Sequence, residues 1–385
     1  MKILLAPDSF KESMTAIEAC EAMEVGVRRV NKHYECIHMP MADGGEGTVS
    51  SIIHATGGQI YSTEVIGPLG ESVCAEYGIL GDRKTAVIEM ASASGLHLVP
   101  IHQRNPMITT TYGVGQLIHA CLDKQVEKII IGVGGSATND GGVGAIQALG
   151  GKFTDKDGNE LRFGGGELGK LHRIDHSHID PRIDDVTIEI ASDVRNPLFG
   201  ANGAAAIFGR QKGATDEMIH QLDTNLRHYS SIIEQVFGRS MATIPGLGAA
   251  GGLSAGLMFF LNGQIKSGID VVMEYTNLEK QIQLADIVFT GEGKIDSQTA
   301  YGKTPYGVSR LAKKYNKPVI AFAGKMGGNI DSLYDTIDAV FSISNGSEAL
   351  EETLSKGKVN LETTTENVVR LLTNITMLEK RKYKI

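Results

Sequence analysis

Hydrophobic residues recur along the chain at two spacings, and each spacing predicts one kind of element. An unbroken apolar run near the N-terminus predicts a buried strand, and Thr15 with Glu18 forms a capping box that predicts the start of a helix. The opening therefore predicts strand, helix, strand and helix at residues 2–7, 16–30, 35–41 and 48–55. This alternation is typical of a parallel sheet.

The middle of the chain changes to alternating apolar and polar residues that are separated by glycine-containing turns. Antiparallel strands are predicted at residues 59–66, 72–80 and 85–90. We then expect helices near 114–122 and 216–237, strands at 128–133 and 186–191, and a surface excursion over the glycine- and histidine-rich residues 152–182.

The last part of the chain returns to alternating strands and helices. Strands are predicted at 286–290, 318–323 and 339–343, with helices near 306–315 and 364–379. We therefore predict an α/β protein in which a doubly wound parallel-sheet domain is built from both chain ends and a mixed α/β domain is inserted. The predicted limits are residues 1–65 with 287–385 for the first domain and 66–286 for the second.

Composition narrows the class of protein. The chain has 385 residues, 42% apolar and 21% charged, which excludes disordered and collagen-like chains. Its apolar runs fall far short of the roughly 20 residues of a membrane span, and its N-terminus lacks a signal-peptide core, so we expect a cytoplasmic protein without a membrane partner. The net charge of -8 argues against nucleic acid as a binding partner. The four cysteines form no C-x-x-C pair, so the sequence indicates neither a zinc site nor a disulfide framework.

Glycine is the one abnormal residue type. The chain contains 47 glycines, about 12% against roughly 7% in average proteins. They cluster in short blocks beside Asp, Asn, Ser and Thr rather than in linkers. Glycine lets the backbone approach a ligand and turn its N–H groups inward, whereas tight turns between strands are the plainer interpretation of any single block.

The first block follows the first predicted strand, where open α/β sheets bind ligands. Asp8, Ser9 and Lys11 bring a carboxylate, a hydroxyl and an ammonium to a helix N-terminus, a typical anion site. Helix capping by Ser13 or Thr15 would explain the hydroxyls of this block, but it would not explain Lys11.

Three further blocks carry carboxylates at similar positions. Asp43 and Glu46 lie on a glycine loop that suits Mg²⁺, although a turn with exposed acids is the alternative. The remaining two blocks are residues 192–197, with Asp193 and Asn196, and residues 291–296, with Asp296. Together they supply what phosphoryl transfer requires, which is carboxylates for a metal, a carboxylate for the attacking hydroxyl, and cations.

Residues 132–142 form the strongest phosphate-binding candidate. Gly132, Gly134 and Ala137 satisfy the dinucleotide pattern G-x-G-x-x-G/A, and Asp155 lies near the expected ribose-binding acid. A nicotinamide-dependent oxidoreductase is therefore an open alternative. Against it, the paired glycines that end this block are poor helix formers where the pattern requires a helix.

Two other motifs are weaker. Gly302-Lys303-Thr304 ends like a Walker A loop, but Ser297 stands where its leading glycine belongs. His172, His176 and His178 have the spacing of metal ligands, although a solvated loop is the simpler interpretation of three histidines in this polar region.

These blocks, in this order, resemble the bacterial glycerate kinase family. The matching segments are residues 6–11, 40–48, 134–142, 193–200, 208–214, 248–256, and 291–293 through 302–305. The resemblance covers nearly the whole chain. It implies two α/β domains, one inserted in the other, and ATP-dependent phosphorylation of D-glycerate with Mg²⁺, which many members direct to the 2-hydroxyl.

On this basis we expect D-glycerate and ATP as substrates, 2-phosphoglycerate as the product, and a reaction in an interdomain cleft. The remaining alternatives are an NAD(P)-dependent oxidoreductase that uses the Gly132 loop and a non-catalytic small-molecule sensor, and a homodimer is allowed for. We assign catalysis to Asp193, Lys11 and Asp296; substrate binding to Ser9, Lys11, Asn196 and Lys303; ATP binding to Gly134, Gly135, Ser136, Thr138, Asn139 and Asp140; and Mg²⁺ to Asp43, Glu46 and Asp296.

Overall fold

The structure is a computed structural model that describes residues 1–242, 244–344, 346 and 349–382. Its strands are β1 (Lys2–Pro7), β2 (Glu35–His38), β3 (Gln59–Ile66), β4 (Ser72–Ile79), β5 (Thr85–Glu89), β6 (Lys128–Gly132), β7 (Lys152–Thr154), β8 (Arg173–Asp175), β9 (Thr187–Ala191), β10 (Gln264–Lys266), β11 (Ile287–Ile295), β12 (Val319–Met326) and β13 (Ala339–Ser342).

The helices are α1 (Ala16–Val30), α2 (Thr48–Thr56), α3 (Ala91–Ser94), α4 (Tyr112–Asp123), α5 (Val143–Ala148), α6 (Ala204–Phe208), α7 (Asp216–Phe237), α8 (Leu253–Phe260), α9 (Gly268–Thr276), α10 (Leu278–Leu284), α11 (Thr304–Lys314), α12 (Leu350–Ser355) and α13 (Gly357–Lys382). Short 3-10 helices lie at Leu96–Leu98, Ile101–Gln103, Glu167–Lys170, Pro181–Asp185, Arg210–Lys212, Ala249–Gly252, Thr299–Tyr301 and Asp331–Asp335.

The chain divides into two compact units. Unit 1 comprises Met1–Asp43 and Ile269–Ile385, and unit 2 comprises Gly44–Gly268. The structure therefore divides the chain at 43/44 and 268/269, whereas the sequence suggests 65/66 and 286/287. The reason at the first limit is that β3 pairs with β4 along its whole length and so belongs to the second sheet.

Unit 1 is a doubly wound α/β unit, as predicted. Its five strands run parallel in the order β13-β12-β11-β1-β2. Successive residues Ile3, Leu4 and Leu5 of β1 are fully buried, as expected for a central strand covered on both faces. Helices α1 and α13 pack against each other over one face, and α11 packs against β11.

Unit 2 has the predicted mixture of antiparallel and parallel strands. Its six-stranded sheet has the order β10-β9-β6-β5-β4-β3. The pairs β3–β4 and β4–β5 are antiparallel, and the remaining pairs are parallel. The carboxyl ends of β5, β6 and β9 therefore lie along one edge of this sheet.

Two expectations need correction. The segment 152–182 is more than a surface excursion, because β7 pairs with β8 and its apolar residues Phe153 and Ile174 are buried in the core of unit 2. Residues 291–295 are part of strand β11 rather than a loop after it, since they continue the parallel pairing with β12. A β-carbon at Gly291 would collide with the carbonyl oxygen of Phe322, so the close pairing requires glycine there.

Within the described residues, no helix combines the length and the apolar character that crossing a membrane requires.

Candidate active site

Asp8 lies at the carboxyl end of β1, the central strand of unit 1. Its carboxylate accepts hydrogen bonds from the backbone N–H of Ser9 and from the hydroxyl of Thr304, both at 2.6 Å. Burial, and then the charge of Asp43, raise the pKa of Asp8 to about 7 against these two hydrogen bonds. The sequence places Asp8 in the first block, yet our residue assignments did not include it.

Glu292 lies beside Asp8 on the neighbouring strand β11. Its Oε1 accepts a hydrogen bond from the Thr299 hydroxyl at 2.7 Å, and its Oε2 lies 3.3 Å from the Nζ of Lys303. Burial raises the pKa of Glu292, and Asp43 adds to this effect, whereas Lys303 opposes it. Lys303, the residue that precedes α11, is therefore tied to a buried carboxylate.

Asp43 completes this arrangement, because its charge acts on both neighbours. We call Asp8, Asp43 and Glu292 the unit 1 acidic group. Within the described part of the chain, no set of three or more His, Cys, Asp or Glu side chains is arranged to hold a metal ion by itself. Mg²⁺ usually takes only one or two protein carboxylates together with substrate phosphates, so the mutual repulsion in the unit 1 acidic group still fits such a cation.

Asp296 has a different environment. Its Oδ2 lies 2.6 Å from the Nζ of Lys294, and its Oδ1 accepts a hydrogen bond from the N–H of Gln298. The hydrogen bond from Lys294 holds the pKa of Asp296 below its ordinary value. Asp296 is thus an ionised carboxylate whose charge is already paired.

The loop after Asp8 presents the predicted cation. Phe10 and Met14 form an antiparallel bridge, and Glu12 between them has a left-handed φ of 63°. The bridge makes residues 10–14 a tight turn from which the Lys11 side chain is exposed, while Ser9 is half-buried. Structure and sequence therefore agree that Lys11 is accessible to an anion.

Asp193 follows β9 in unit 2. Its Oδ1 accepts hydrogen bonds from the Ser267 hydroxyl and from the backbone N–H of Gly268, both at 2.9 Å. Two donors on one oxygen favour the ionised carboxylate that a base requires. Asn196, in the same loop, donates its side-chain amide to the carbonyl of Asn202 at 2.9 Å, so this amide supports the loop.

Glu46 is exposed in unit 2, whereas the other predicted metal ligands, Asp43 and Asp296, belong to unit 1. Its charge acts on Glu89, which accepts a hydrogen bond from the N–H of Val49 in the first turn of α2. Burial is the main cause that raises the pKa of Glu89 to about 7. Glu89 was missed in the sequence, although it is an acid at the end of a predicted strand.

The predicted phosphate loop has an exposed tip and a buried base. Gly135 is exposed with a φ of +73°, and in the described part of the chain the N–H groups of Gly135 and Ser136 donate no hydrogen bond. Thr138, Asn139 and Asp140 are almost fully buried. Two free N–H groups at an exposed glycine form a concave anion site.

Asp140 anchors the base of this loop. It accepts hydrogen bonds from the N–H and the hydroxyl of Thr111 at 2.8 and 2.9 Å, and from the N–H of Gly142 at 3.1 Å. Burial raises the pKa of Asp140 against these bonds. The side chain of Asp140 is therefore engaged inside the protein.

The dinucleotide-binding hypothesis finds no support in this geometry. Helix α5 begins at Val143, several residues after the position that the G-x-G-x-x-G/A pattern requires. Asp155 accepts hydrogen bonds from the N–H groups of Asp157 and Asn159 in its own turn.

The three histidines His172, His176 and His178 are all exposed. The ring of His176 packs against the ring of Phe237 at 5.2 Å between centroids. None of them belongs to a metal-binding set among the described residues, so the solvated interpretation is the better one.

Lys212 is a further residue that our assignments missed. It is buried, with 2% of its surface exposed, and its Nζ donates to the hydroxyl of Ser136 at 2.8 Å and to the carbonyl of Thr138 at 2.7 Å. Its only signal in the sequence is its place in the 208–214 block.

The comparisons with known proteins agree with the resemblance stated above. The family model described as "Glycerate kinase family" matches residues 3–373. A glycerate kinase of Halalkalibacterium halodurans is 52% identical over 95% of this chain and 97% of its own length. A glycerate 2-kinase of Escherichia coli is 49% identical over 97% of this chain and 98% of its own.

A solved structure gives the same result. The crystal structure of a protein assigned as glycerate kinase 2 from Salmonella typhimurium LT2 is 47% identical, with a TM-score of 0.86, and covers 98% of this chain and 100% of its own. These relatives are kinases, which favours neither an oxidoreductase nor a sensor. The chain belongs to the glycerate kinase family.

Proposed function

We propose that this enzyme transfers the γ-phosphoryl group of ATP to the 2-hydroxyl of D-glycerate and releases 2-phosphoglycerate and ADP. The observation that carries the proposal is the unit 1 acidic group beside Lys303, in a chain of the glycerate kinase family. The name of the Escherichia coli relative, glycerate 2-kinase, supports the 2-position.

The reaction needs one bond made and one broken. The hydroxyl oxygen of glycerate attacks the γ-phosphorus, the bond from that phosphorus to the bridging oxygen of ADP breaks, and the hydroxyl proton moves to a carboxylate. Asp193 suits the last role, because Ser267 and Gly268 fix one of its oxygens and keep it ionised. In the loose transition state of phosphoryl transfer, positioning and charge neutralisation contribute more than the base does.

The anionic groups of both substrates need donors. We place the ATP phosphates at the N–H groups of Gly135 and Ser136, because both donors are unused in the described part of the chain and Gly135 is exposed. Lys11 is exposed beside Asp8 and would contact the glycerate carboxylate or the transferring phosphoryl group.

Mg²⁺ would neutralise the phosphate charge when bound with ATP. Asp43 is the best supported of the predicted Mg²⁺ ligands, because its charge acts on Asp8 and Glu292. Burial raises the pKa of both of these carboxyl groups. Asp296 is paired with Lys294, and Glu46 belongs to unit 2, so both have weaker support.

The test is to incubate the protein with ATP, Mg²⁺ and D-glycerate, to follow ADP release, and to identify the product by phosphorus NMR. We expect 2-phosphoglycerate, and L-glycerate serves as the matched control substrate. A 3-phosphoglycerate signal would contradict the regiochemistry alone. Absence of ADP release, together with NAD(P)H turnover on an acid substrate, would contradict the kinase activity. If neither activity is detected but a ligand raises the thermal stability, a small-molecule sensor would be favoured.

The interdomain cleft, the cytoplasmic location and the homodimer stay predictions from the sequence. Size-exclusion chromatography with light scattering would test the dimer.

A further inference from the structure

Lys212 occupies an unusual place for a lysine, since this residue type is rarely buried without a charged partner. It ends the 3-10 helix Arg210–Lys212, and Gly213 after it has a left-handed φ of 89°. No carboxylate of the described residues lies within ion-pair distance of its Nζ. Instead the ammonium donates to Ser136 and to the carbonyl of Thr138, two atoms of one loop.

That loop is also held by its backbone: the N–H of Leu96 donates to the Gly135 carbonyl at 2.8 Å, and the N–H of Ala137 donates to the Ser94 carbonyl at 2.9 Å. Residues 133–142, all of them described, form neither helix nor strand, and Gly135, Gly141 and Gly142 have left-handed backbones. The two bonds from Lys212 fall directly after the exposed tip at Gly135. They therefore add a tie between the Ser136 side chain and the Thr138 carbonyl to the backbone bonds that hold this loop.

We propose that Lys212 is a positioning residue of the nucleotide-binding loop: its ammonium ties the Ser136 side chain to the Thr138 carbonyl and, together with the backbone bonds of this loop, keeps the N–H groups of Gly135 and Ser136 in place for the phosphates of ATP. The inference rests on the proposed function, because it takes the loop as the ATP phosphate site. An ammonium has three donors, and the third is available to a phosphate oxygen or a water molecule beside the loop.

The surroundings of Lys212 add a pH dependence. Burial lowers the pKa of Lys212 to about 7, and the carboxylate of Asp140 opposes this shift. The other ionisable groups near this part of the protein are Arg104, whose backbone contacts Gly213, and Tyr229, whose ring contacts Gly141. Burial raises the pKa of Tyr229 far above neutrality, so its phenol keeps its proton near pH 7. The positive charge beside the loop should therefore be lost as the pH rises through about 7.

The test is Lys212→Met, which keeps the apolar stem and removes the donors. We expect the KM for ATP to rise about tenfold or more, with the KM for D-glycerate at saturating ATP changed less than about threefold. We expect kcat/KM for ATP to decline above pH 7 in the wild type, and we expect this decline to be absent in the variant. Lys170→Met, an exposed lysine in the same unit that pairs with Glu167, is the matched control and should behave as wild type.

Ser136→Ala removes one acceptor with little change in volume and decides the matter if Lys212→Met does not fold. It should raise the KM for ATP about threefold, in the same direction and with the same selectivity for ATP. A folded Lys212→Met with an ATP KM within twofold of wild type would reduce Lys212 to a core residue, and so would an equal loss for both substrates. A normal ATP KM in Ser136→Ala would also overturn the proposal.

Equilibrium binding of a fluorescent ATP analogue separates this inference from the proposed function. Wild type that binds the analogue but releases no ADP with D-glycerate would contradict the proposed substrate, while the Lys212→Met comparison would still decide the role of Lys212. Wild type that phosphorylates D-glycerate beside a Lys212→Met variant with unchanged analogue affinity would contradict the positioning role alone.

Discussion

Lys11 and Lys303 differ in whether their positive charges are paired with a carboxylate of the protein. Lys303 lies 3.3 Å from a carboxylate oxygen of Glu292, so part of its charge is used within the protein. Lys11 is exposed, and in the described part of the chain it forms no ion pair. Lys11 is therefore the stronger candidate for contact with an anionic substrate, although the sequence alone gives both residues the same chemistry.

Replacing Lys11 with Met should lower kcat/KM on the order of 10²-fold, about 3 kcal/mol, because an ammonium on the carboxylate or the moving phosphoryl group is lost. Steady-state kinetics with D-glycerate and ATP measure this effect. Lys32→Met, at another exposed lysine of unit 1, is the matched control. A Lys11 variant within twofold of wild type would show that Lys11 is a surface residue only.

The burial of Lys212 should be visible in stability as well as in activity. Because the pKa of Lys212 falls from 10.5 to about 7 on folding, the unfolded chain binds more protons than the folded chain between these pH values. Stability contributed by this group therefore rises with pH through that window, by at most about 1.4 kcal/mol per pH unit. Urea unfolding at pH 7, 8 and 9 should show wild type gaining stability relative to Lys212→Met. Parallel pH dependences for the two proteins would contradict the buried charge.

Single residues show where sequence reasoning stops. The first block was found from Asp8, Ser9 and Lys11, but Thr304, whose hydroxyl donates to Asp8, lies 296 residues away in the chain. Lys212 and Ser136 are 76 residues apart, and neither shows from its neighbours that they bond. The blocks could be predicted, whereas the side chain that each block buries could not.

At the scale of elements, local signals gave accurate limits. Helix α1 and strand β3 match their predicted ranges, and for α1 the reason is a capping box that lies within the first residues of the helix. The extension of β11 through Gly291, Glu292 and Gly293 was missed, because Gly-Glu-Gly has low strand propensity by itself. Its pairing with β12 overrides that propensity, and this partner is not visible locally.

The glycine loop between β6 and α5 carries the prediction at this scale. Gly135→Val forces a β-branched residue into a φ of +73° and moves the exposed tip, so the KM for ATP should rise about tenfold or more while the fold is kept. Gly158→Val is the matched control, since Gly158 has a φ of +82° with open space around it in a distant turn. A folded Gly135 variant with unchanged nucleotide affinity would make the loop structural.

At the scale of the molecule, the fold class followed from the alternation at both chain ends, but the limits of the units did not. The second helix and β3 continue the opening pattern, so the sequence assigns them to the terminal domain. Ile53 of α2 instead lies against Gly78 of β4, and β3 forms the edge of the second sheet. The sheet to which an edge strand belongs is decided by its pairing with another strand. The alternation of helices and strands along the chain does not predict that pairing.

The last prediction concerns carboxylates that come from both units. Asp→Asn keeps the shape and removes the charge, so Asp43→Asn, Asp193→Asn and Asp296→Asn form a matched series, with Asp155→Asn as the surface control. Loss of a metal-binding carboxylate should lower kcat most and raise the Mg²⁺ concentration required, while loss of the base should cost somewhat less, because charge neutralisation dominates a loose transition state.

We expect Asp43 to show the largest effect, since it lies with two buried carboxylates, and Asp193 a smaller one without a change in Mg²⁺ dependence. If Asp296 binds the metal, Asp296→Asn should lower kcat and raise the required Mg²⁺ concentration, as Asp43→Asn does. If Asp296 only pairs with Lys294, the variant should leave the Mg²⁺ dependence unchanged. Titrations of kcat against Mg²⁺ measure all three. If the three variants keep near-normal kcat at saturating Mg²⁺, then the phosphoryl group is transferred elsewhere in the protein, and a shared role of the two units in one reaction is excluded.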